Sequence, residues 1–126
     1  MEKQITPGLK YTFLVHGIMM TVFGLTYLFI PVLWGDLTGC LSNVVPQAFR
    51  ALSVALLALA IGSFLAFRET SWDEVKIVAQ MECVITILFP IVILLALLFW
   101  DLPAIGWMYV VLMSGFAVAF NITYRQ

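Results

Sequence analysis

The chain has 126 residues, of which 63% are hydrophobic and 10% are charged, and its formal net charge is −1. Soluble globular domains carry about a quarter charged residues, so this composition excludes an ordinary soluble domain and indicates an integral membrane protein. The chain has no run of basic residues, which excludes the electrostatic footprint of a nucleic-acid-binding protein. The lipid bilayer is therefore the expected partner, and nucleic acid is not.

Four apolar blocks follow one another at residues about 11–34, 46–67, 77–100 and 102–123. Helices of roughly 22 to 24 residues are about 33 to 36 Å long, which is enough to cross a hydrocarbon core of about 30 Å. The sequence therefore predicts an all-α, four-helix transmembrane bundle. The connections are too short for a further domain, so residues 1–126 are predicted to form a single integral membrane domain.

Basic residues lie mainly on one side of these four spans. The N-terminus, the loop between the second and third spans and the C-terminus hold Lys3, Lys10, Arg68, Lys76 and Arg125, whereas the other side holds Arg50. The positive-inside rule then predicts that both termini are cytoplasmic. Because no organellar targeting segment is present, we expect a bacterial or archaeal inner membrane, with a eukaryotic membrane as the alternative.

Small residues recur at helical spacing in the first two spans. In the second span they form one face, made of Ala51, Ala55, Ala58, Gly62 and Ala66. Helices in lipid associate where small residues let their backbones approach, so we expect this face to be buried inside the bundle or in an oligomer contact. Gly17 and Gly24 form a shorter stripe of this type in the first span, and we expect this stripe to pack against the second span.

Polar residues from three different spans lie at a similar distance from the side of the termini. They are His16, Glu82 and Asn121, and Arg68 is long enough to reach the same layer. An ionisable group within a transmembrane segment costs at least about 2.5 to 3.5 kcal/mol, which favours a functional site in the bundle interior. Alternatively, His16 and Glu82 mark the headgroup boundary, because about 27 Å of apolar helix remains beyond each of them.

Helical spacing indicates which neighbours share a face with these polar residues. His16 shares one with Met20, Phe23 and Tyr27, Glu82 with Thr86 and Phe89, and Asn121 with Ala117, Ser114 and Trp107. If these faces converge, they form a cavity that faces the cytoplasm and has an aromatic wall and a floor made of the carboxylate and imidazole groups. Such a cavity would suit a quinone headgroup, an organic cation or protons.

The sequence gives little support to metal or enzyme chemistry. No cluster of Cys, His and carboxylate residues has zinc spacing, and no catalytic motif is present. We therefore predict no metal and no cofactor, with His16 as the ligand of a chlorin or a haem as an alternative. An enzyme is not the expected class, although one Glu and one His could shuttle a proton.

Two short patterns carry a resemblance to known families. Residues 101–105, DLPAI, and Met108 resemble the start of the last helix in small multidrug-resistance exporters. That family uses a Glu in its first helix for proton exchange, whereas the first span here holds His16, so the export mechanism is not carried over. The spacing of Gly17, Gly24 and Pro31, with FRAL at residues 49–52, resembles uncharacterised four-helix bacterial membrane proteins, which implies an architecture and no activity.

Two functions are compatible with the sequence. The first is a non-enzymatic accessory subunit of a larger membrane complex, or a homo-oligomer, that acts through helix contacts with other membrane proteins or with itself. The absence of catalytic motifs and the long small-residue face favour it. The second is a small membrane transporter or binder of an apolar or cationic molecule, with Glu82, His16, Asn121, Arg68 and Thr86 around its site.

Overall fold

A computed structural model describes residues 4–40 and 46–124. Its helices are α1 (Pro7–Phe29), α2 (Pro31–Thr38), α3 (Pro46–Arg68), α4 (Trp72–Phe99) and α5 (Gly106–Tyr124). The helices α1, α3, α4 and α5 are long and apolar enough to cross a membrane. The predicted all-α four-helix bundle is confirmed, and the protein is a small integral membrane protein.

Both ends of the described chain lie on the same side of this bundle, as four crossings require. We call this side, with Pro7, Arg68, Trp72 and Tyr124, the terminus side, and the opposite side the α2 side. Gln4 forms an isolated antiparallel bridge with Ser71 on the terminus side. That the terminus side is cytoplasmic stays a prediction, and two of the basic residues behind it, Lys3 and Arg125, lie outside the described residues.

The first predicted span is in fact two helices. Proline has no backbone N–H and is therefore well tolerated at the first position of a helix. Pro31 is the first residue of α2 and directly follows Ile30, the C-cap residue of α1. The α2 helix ends at Thr38 and is capped by Gly39, whose φ of 73° lies in the left-handed region that glycine adopts without strain. The first membrane-crossing helix therefore ends at Phe29, not near residue 34.

The third and fourth spans also differ from their predicted limits. Helix α4 begins at Trp72, before the apolar block. Its first turn holds Asp73 and Glu74, whose carboxylates interact favourably with the positive end of the helix dipole. Helix α5 begins at Gly106, later than predicted, because the chain turns after α4. Asp101 has a φ of 52° at this turn, which helical backbone does not allow.

Helix α1 occupies the centre of the arrangement. It packs most extensively against α3 and also contacts α5, while α4 packs mainly against α5 and touches α3 much less. The close approach of α1 to α3 depends on Gly17 and Gly24, because a Cβ atom on Gly24 would lie 2.8 Å from the side chain of Leu57. The predicted packing of this glycine stripe against the second span is confirmed.

Buried side chains form three clusters along the bundle. The cluster on the terminus side includes Leu9, Phe13, Val75, Ala79 and Phe120. The central cluster is made of Met20, Ala60 and Met113, and the one on the α2 side is made of Tyr27, Cys40 and Phe49.

The small-residue face of α3 does not pack as a unit inside the bundle. Ala66 is buried and Gly62 is partly buried, whereas Ala51, Ala55 and Ala58 are exposed. The side of α3 that meets α1 instead carries larger residues, including Leu57 and Phe64, which lie against the two glycines. The prediction that this face is buried inside the bundle is therefore wrong for its three residues nearest the α2 side.

Candidate functional site

A cluster of three polar side chains lies inside the bundle, in the half nearer the terminus side. His16 from α1, Ser63 from α3 and Glu82 from α4 have exposed fractions of 0%, 0% and 1%. The adjacent residues in each helix are mostly apolar. The imidazole, hydroxyl and carboxyl groups of the three residues contact one another inside the bundle. His16 and Glu82 therefore face the bundle interior and not the surrounding headgroups.

Ser63 joins the other two members of this cluster. Its hydroxyl donates a hydrogen bond to Oε1 of Glu82 at 2.9 Å, and its oxygen lies 3.0 Å from Nδ1 of His16. Because a serine hydroxyl has one hydrogen, the second contact requires that Nδ1 of His16 donates to the serine oxygen. This arrangement places a proton on Nδ1 of His16.

Two polar atoms of the cluster lack hydrogen-bond partners. Nε2 of His16 and Oε2 of Glu82 are buried without one. Oε2 lies 3.5 Å from Nδ1 of His16, which allows electrostatic attraction but is long for a hydrogen bond. On the other side of the imidazole, the rings of Phe116 and Phe120 lie edge-on, with centroid distances of 4.9 and 5.4 Å.

The other residues predicted for the site lie outside this cluster. Asn121 is exposed, and its amide donates to the carbonyl of Ala117 in its own helix at 2.7 Å. Arg68 is exposed at the end of α3. Thr86 is buried one turn from Glu82, but its hydroxyl donates to the backbone oxygen of Glu82 at 2.6 Å. The structure thus brings His16 and Glu82 together without Asn121 or Arg68.

Ser63 was not predicted from the sequence. Ser63 lies five residues from a basic residue, Arg68, at the end of its helix. His16 and Glu82 each lie six residues from a basic residue, Lys10 and Lys76 respectively. Counting residues from the end of each span would therefore have placed Ser63 at the same depth as the other two. Serine is common in transmembrane helices and often bonds to its own backbone, as Ser53 does with the carbonyl of Arg50. Composition alone therefore does not separate Ser63 from Ser53.

A mainly apolar cavity begins about one helical turn beyond the cluster, toward the α2 side. Its volume is about 80 Å³, and its walls come from α1, α3, α4 and α5. The lining residues are Met19, Met20, Phe23, Tyr27, Leu52, Ala55, Leu56, Leu59, Ile85, Phe89, Tyr109, Leu112 and Met113. Neither His16 nor Glu82 is among them, so the polar cluster adjoins the cavity along the helices without forming its wall.

The predicted convergence of helix faces is correct for two helices and wrong for the third. Met20, Phe23 and Tyr27 of α1 and Phe89 of α4 line the cavity as expected. Helix α5 contributes Tyr109 and Met113 in place of the face that holds Asn121 and Trp107. The predicted carboxylate and imidazole floor is also wrong, because neither His16 nor Glu82 lines the cavity. The cavity was expected toward the side of the termini, and it lies on the α2 side of the cluster.

Aromatic side chains with polar tips close the cavity toward the α2 side. The hydroxyl groups of Tyr27 and Tyr109 are 2.7 Å apart, and Nε1 of Trp34 donates to the hydroxyl of Tyr109 at 3.2 Å. Phe23 packs near these rings, with centroid distances of 6.1 Å to Tyr27 and 5.7 Å to Tyr109. Tyr109 was not predicted as a site residue, because its spacing does not set it apart from the rest of α5.

Comparison with family models, with curated proteins and with solved structures found no match. Within residues 4–40 and 46–124, no group of three His, Cys, Asp or Glu residues is placed to hold a metal ion. The alternative that His16 ligates a chlorin or a haem stays a prediction, as does the resemblance to small multidrug-resistance exporters and uncharacterised four-helix proteins. The function must therefore be argued from the polar cluster and the cavity.

Proposed function

We propose that this protein is a small membrane transporter or binder of an apolar or cationic molecule, in which Glu82 and His16 form the polar end of the site. The observation that carries the proposal is the pair of buried atoms without hydrogen-bond partners, Nε2 of His16 and Oε2 of Glu82. Leaving such an atom unpaired costs about 1 to 3 kcal/mol. A proton or a ligand group that binds there would offset this cost.

The position of the cluster in the membrane strengthens this interpretation. Ionisable residues inside transmembrane segments are costly, and they are typical of proton and ion pathways and of ligand sites. When Glu82 is ionised, its carboxylate attracts a cation, and when it holds a proton, that attraction is lost. The aromatic and methionine side chains of the adjacent cavity would contact the apolar part of the molecule, and aromatic faces also favour cations.

Few other titratable groups surround Glu82. Helix α1 faces it with His16, α3 with the hydroxyl of Ser63, and its own helix adds Cys83. Helix α5 contributes the rings of Phe116 and Phe120 against His16. A pH-dependent change in binding would therefore be assigned to the His16–Glu82 pair, and Glu82 is the residue to replace first.

The test uses hexyltrimethylammonium, a cation with one hydrocarbon chain that suits a cavity of about 80 Å³, and the full-length protein in nanodiscs. We expect native protein to bind this probe in a pH-dependent way, and Glu82→Gln to abolish the dependence while keeping helicity and thermal unfolding close to native. Gln keeps the oxygen that accepts from Ser63 and removes the acid. The matched control is Glu74→Gln, at an exposed position in the first turn of the same helix. Native-like pH dependence in Glu82→Gln would refute the proposal.

A second function is favoured by a different observation. Ala51, Ala55 and Ala58 form an exposed small-residue face on α3, which is the type of surface that lets transmembrane helices approach closely. We infer from it a role as an accessory subunit or as a homo-oligomer in contact with other membrane proteins. The test is the oligomeric state in native membranes, measured by single-molecule photobleaching for native protein and for Ala51→Leu/Ala58→Leu. Monomeric native protein without a stable partner would exclude this role.

The membrane and the orientation complete the proposal. The excess of Lys and Arg on the terminus side supports a position with both termini in the cytoplasm. The membrane that we propose is a bacterial or archaeal inner membrane. Under this orientation the polar cluster lies in the cytoplasmic half of the bundle and the cavity lies nearer the membrane centre. A proton would then reach the cluster from the cytoplasmic side.

A further inference from the structure

The cavity surface is almost entirely apolar, and two side chains with hydroxyl groups, Tyr27 and Tyr109, line it toward the α2 side. Three hydrogens are available from Tyr27, Tyr109 and Trp34, one on each hydroxyl and one on the indole nitrogen. The two hydrogen bonds among these side chains use two of them. Whichever tyrosine donates to the other, one hydroxyl hydrogen is left over within these contacts. An acceptor at the α2 end of the cavity would lie next to the side chain that carries this hydrogen.

The size of the cavity limits what it can hold. An engineered cavity of about 150 Å³ takes up a benzene molecule, whereas this one measures about 80 Å³. It therefore accommodates a single hydrocarbon chain better than a ring system. Methionine side chains, which adapt easily to a chain of this type, line it at Met19, Met20 and Met113.

The remaining part of such a chain can extend into the bilayer between α3 and α4. Helices α3 and α4 touch each other much less than α1 and α3 or α4 and α5 do. Near the turn that joins them, Ser63 bonds to Glu82, and Ala66 belongs to one buried cluster with Val75 and Ala79. Closer to the α2 side, Leu52 is 39% exposed and Ala55 is also exposed, yet both line the cavity. The cavity is thus bordered by residues that face the lipid.

We propose that the cavity binds one hydrocarbon chain bearing a carbonyl group, which enters from the bilayer between α3 and α4 and accepts a hydrogen bond from Tyr27 or Tyr109. This inference rests on the proposed binding function and specifies its ligand class. The carbonyl can belong to an acyl ester of a bilayer phospholipid or to a separate acyl ester dissolved in the membrane. Both sources offer the same chemistry to the tyrosine hydroxyl.

The experiment follows a single carbonyl by infrared spectroscopy. Full-length protein is placed in nanodiscs of ether-linked phosphatidylcholine, which has no ester carbonyl, and methyl laurate labelled with ¹³C at its carbonyl is added. A hydrogen bond lowers the carbonyl stretching frequency. We expect a lower-frequency band that saturates with added ester and that is absent from nanodiscs without protein.

Four variants locate the site. We expect the band to be lost in Ala55→Phe, which fills the cavity wall, and in Tyr27→Phe/Tyr109→Phe, which removes both hydroxyl groups. It should persist in Ala58→Phe, which puts the same ring on the same exposed face outside the cavity, and in Tyr11→Phe, at a tyrosine that is 65% exposed. Helicity and thermal unfolding of each variant show whether it has folded.

Adding ester-linked phospholipid should displace the labelled ester if bilayer lipid is the occupant, and should leave the band unchanged if it is not.

The outcomes separate this inference from the proposed function. Absence of a saturable band with native protein, or an equal band in Ala55→Phe and Ala58→Phe, overturns the proposed chain site. If hexyltrimethylammonium binding still depends on pH and on Glu82, the proposed function stands without the chain site. If the carbonyl band behaves as expected but Glu82→Gln binds the cation as native protein does, the cavity site stands and the role of Glu82 is wrong.

Discussion

His16 and Glu82 come from different helices, yet Nδ1 of His16 lies 3.5 Å from Oε2 of Glu82, and both side chains are almost completely buried. A buried pair of opposite charge does not by itself stabilise a protein, because the loss of hydration offsets the attraction between the partners. A charge on either group is costly inside the bundle unless the other group compensates it, so the protonation of one depends on the protonation of the other. The pair therefore behaves as one unit.

Ser63→Ala should destabilise the bundle more than Ser53→Ala. Both serines are fully buried in α3, but Ser63 bonds to side chains of two other helices, whereas Ser53 donates to a carbonyl of its own helix. We expect Ser63→Ala to lower the free energy of unfolding by about 1 to 3 kcal/mol relative to Ser53→Ala, because two buried polar groups lose their partner. Thermal unfolding in detergent, followed by circular dichroism, measures the difference. Equal losses would mean that the bridge contributes nothing.

Gly24→Ala should weaken the packing of α1 against α3. The added Cβ would lie 2.8 Å from the side chain of Leu57, so the two helices would have to move apart. We expect a loss of about 1 to 3 kcal/mol in the free energy of unfolding, which is typical of overpacking. The matched control is Gly115→Ala, where nothing lies within 4 Å, and this change should be neutral or slightly stabilising. The same unfolding assay decides, and a neutral Gly24→Ala would contradict the close approach.

Tyr109→Phe should destabilise the α2 side of the bundle. The Tyr109 hydroxyl has two partners, Tyr27 and Trp34, and the ring itself is kept. We expect a loss of about 1 to 3 kcal/mol and a change in tryptophan fluorescence, because the indole N–H of Trp34 loses its acceptor. Tyr11→Phe, at an exposed tyrosine, is the control and should change neither quantity. Unaltered fluorescence in Tyr109→Phe would show that the bond from Trp34 does not form.

Asn121→Ala should be almost without effect on stability and on hexyltrimethylammonium binding. The Asn121 side chain is exposed and bonds to a carbonyl of its own helix. Substitutions at such positions usually change the free energy of unfolding by no more than about 0.5 kcal/mol. A clear loss of pH-dependent binding in this variant would return Asn121 to the site and would contradict the arrangement of α5 described above.

Hydropathy was sufficient to predict the fold, because four apolar segments of membrane-spanning length leave few other structures. It was less informative about helix limits. Pro31 divides the first span and Asp101 takes a left-handed conformation, and such local backbone effects do not alter the average hydropathy. The small residues of α1 and α3 show the same limitation, since spacing identified both stripes but did not indicate which side of α3 meets Gly17 and Gly24.

The polar cluster was predicted in part because charge inside a membrane is rare, which draws attention to His16 and Glu82 in any sequence of this type. The position of each residue along its helix correctly predicted that His16 and Glu82 lie at the same depth in the membrane. The direction in which each side chain points from its helix determines which residues join the cluster, because Asn121 shares this depth but is exposed. Ser63 and Tyr109 were missed because a hydroxyl group in an apolar helix becomes distinctive only when its partners on other helices are known.

A double-mutant cycle on His16 and Glu82 is the most direct test of the central claim that the two residues act as one site. Hexyltrimethylammonium binding would be measured across pH for native protein, His16→Asn, Glu82→Gln and the double variant, all in nanodiscs. We expect each single variant to lose the pH dependence and the double variant to lose no more than either one, as coupled residues do. Losses that add independently, or single variants that bind as native protein does, would contradict the claim.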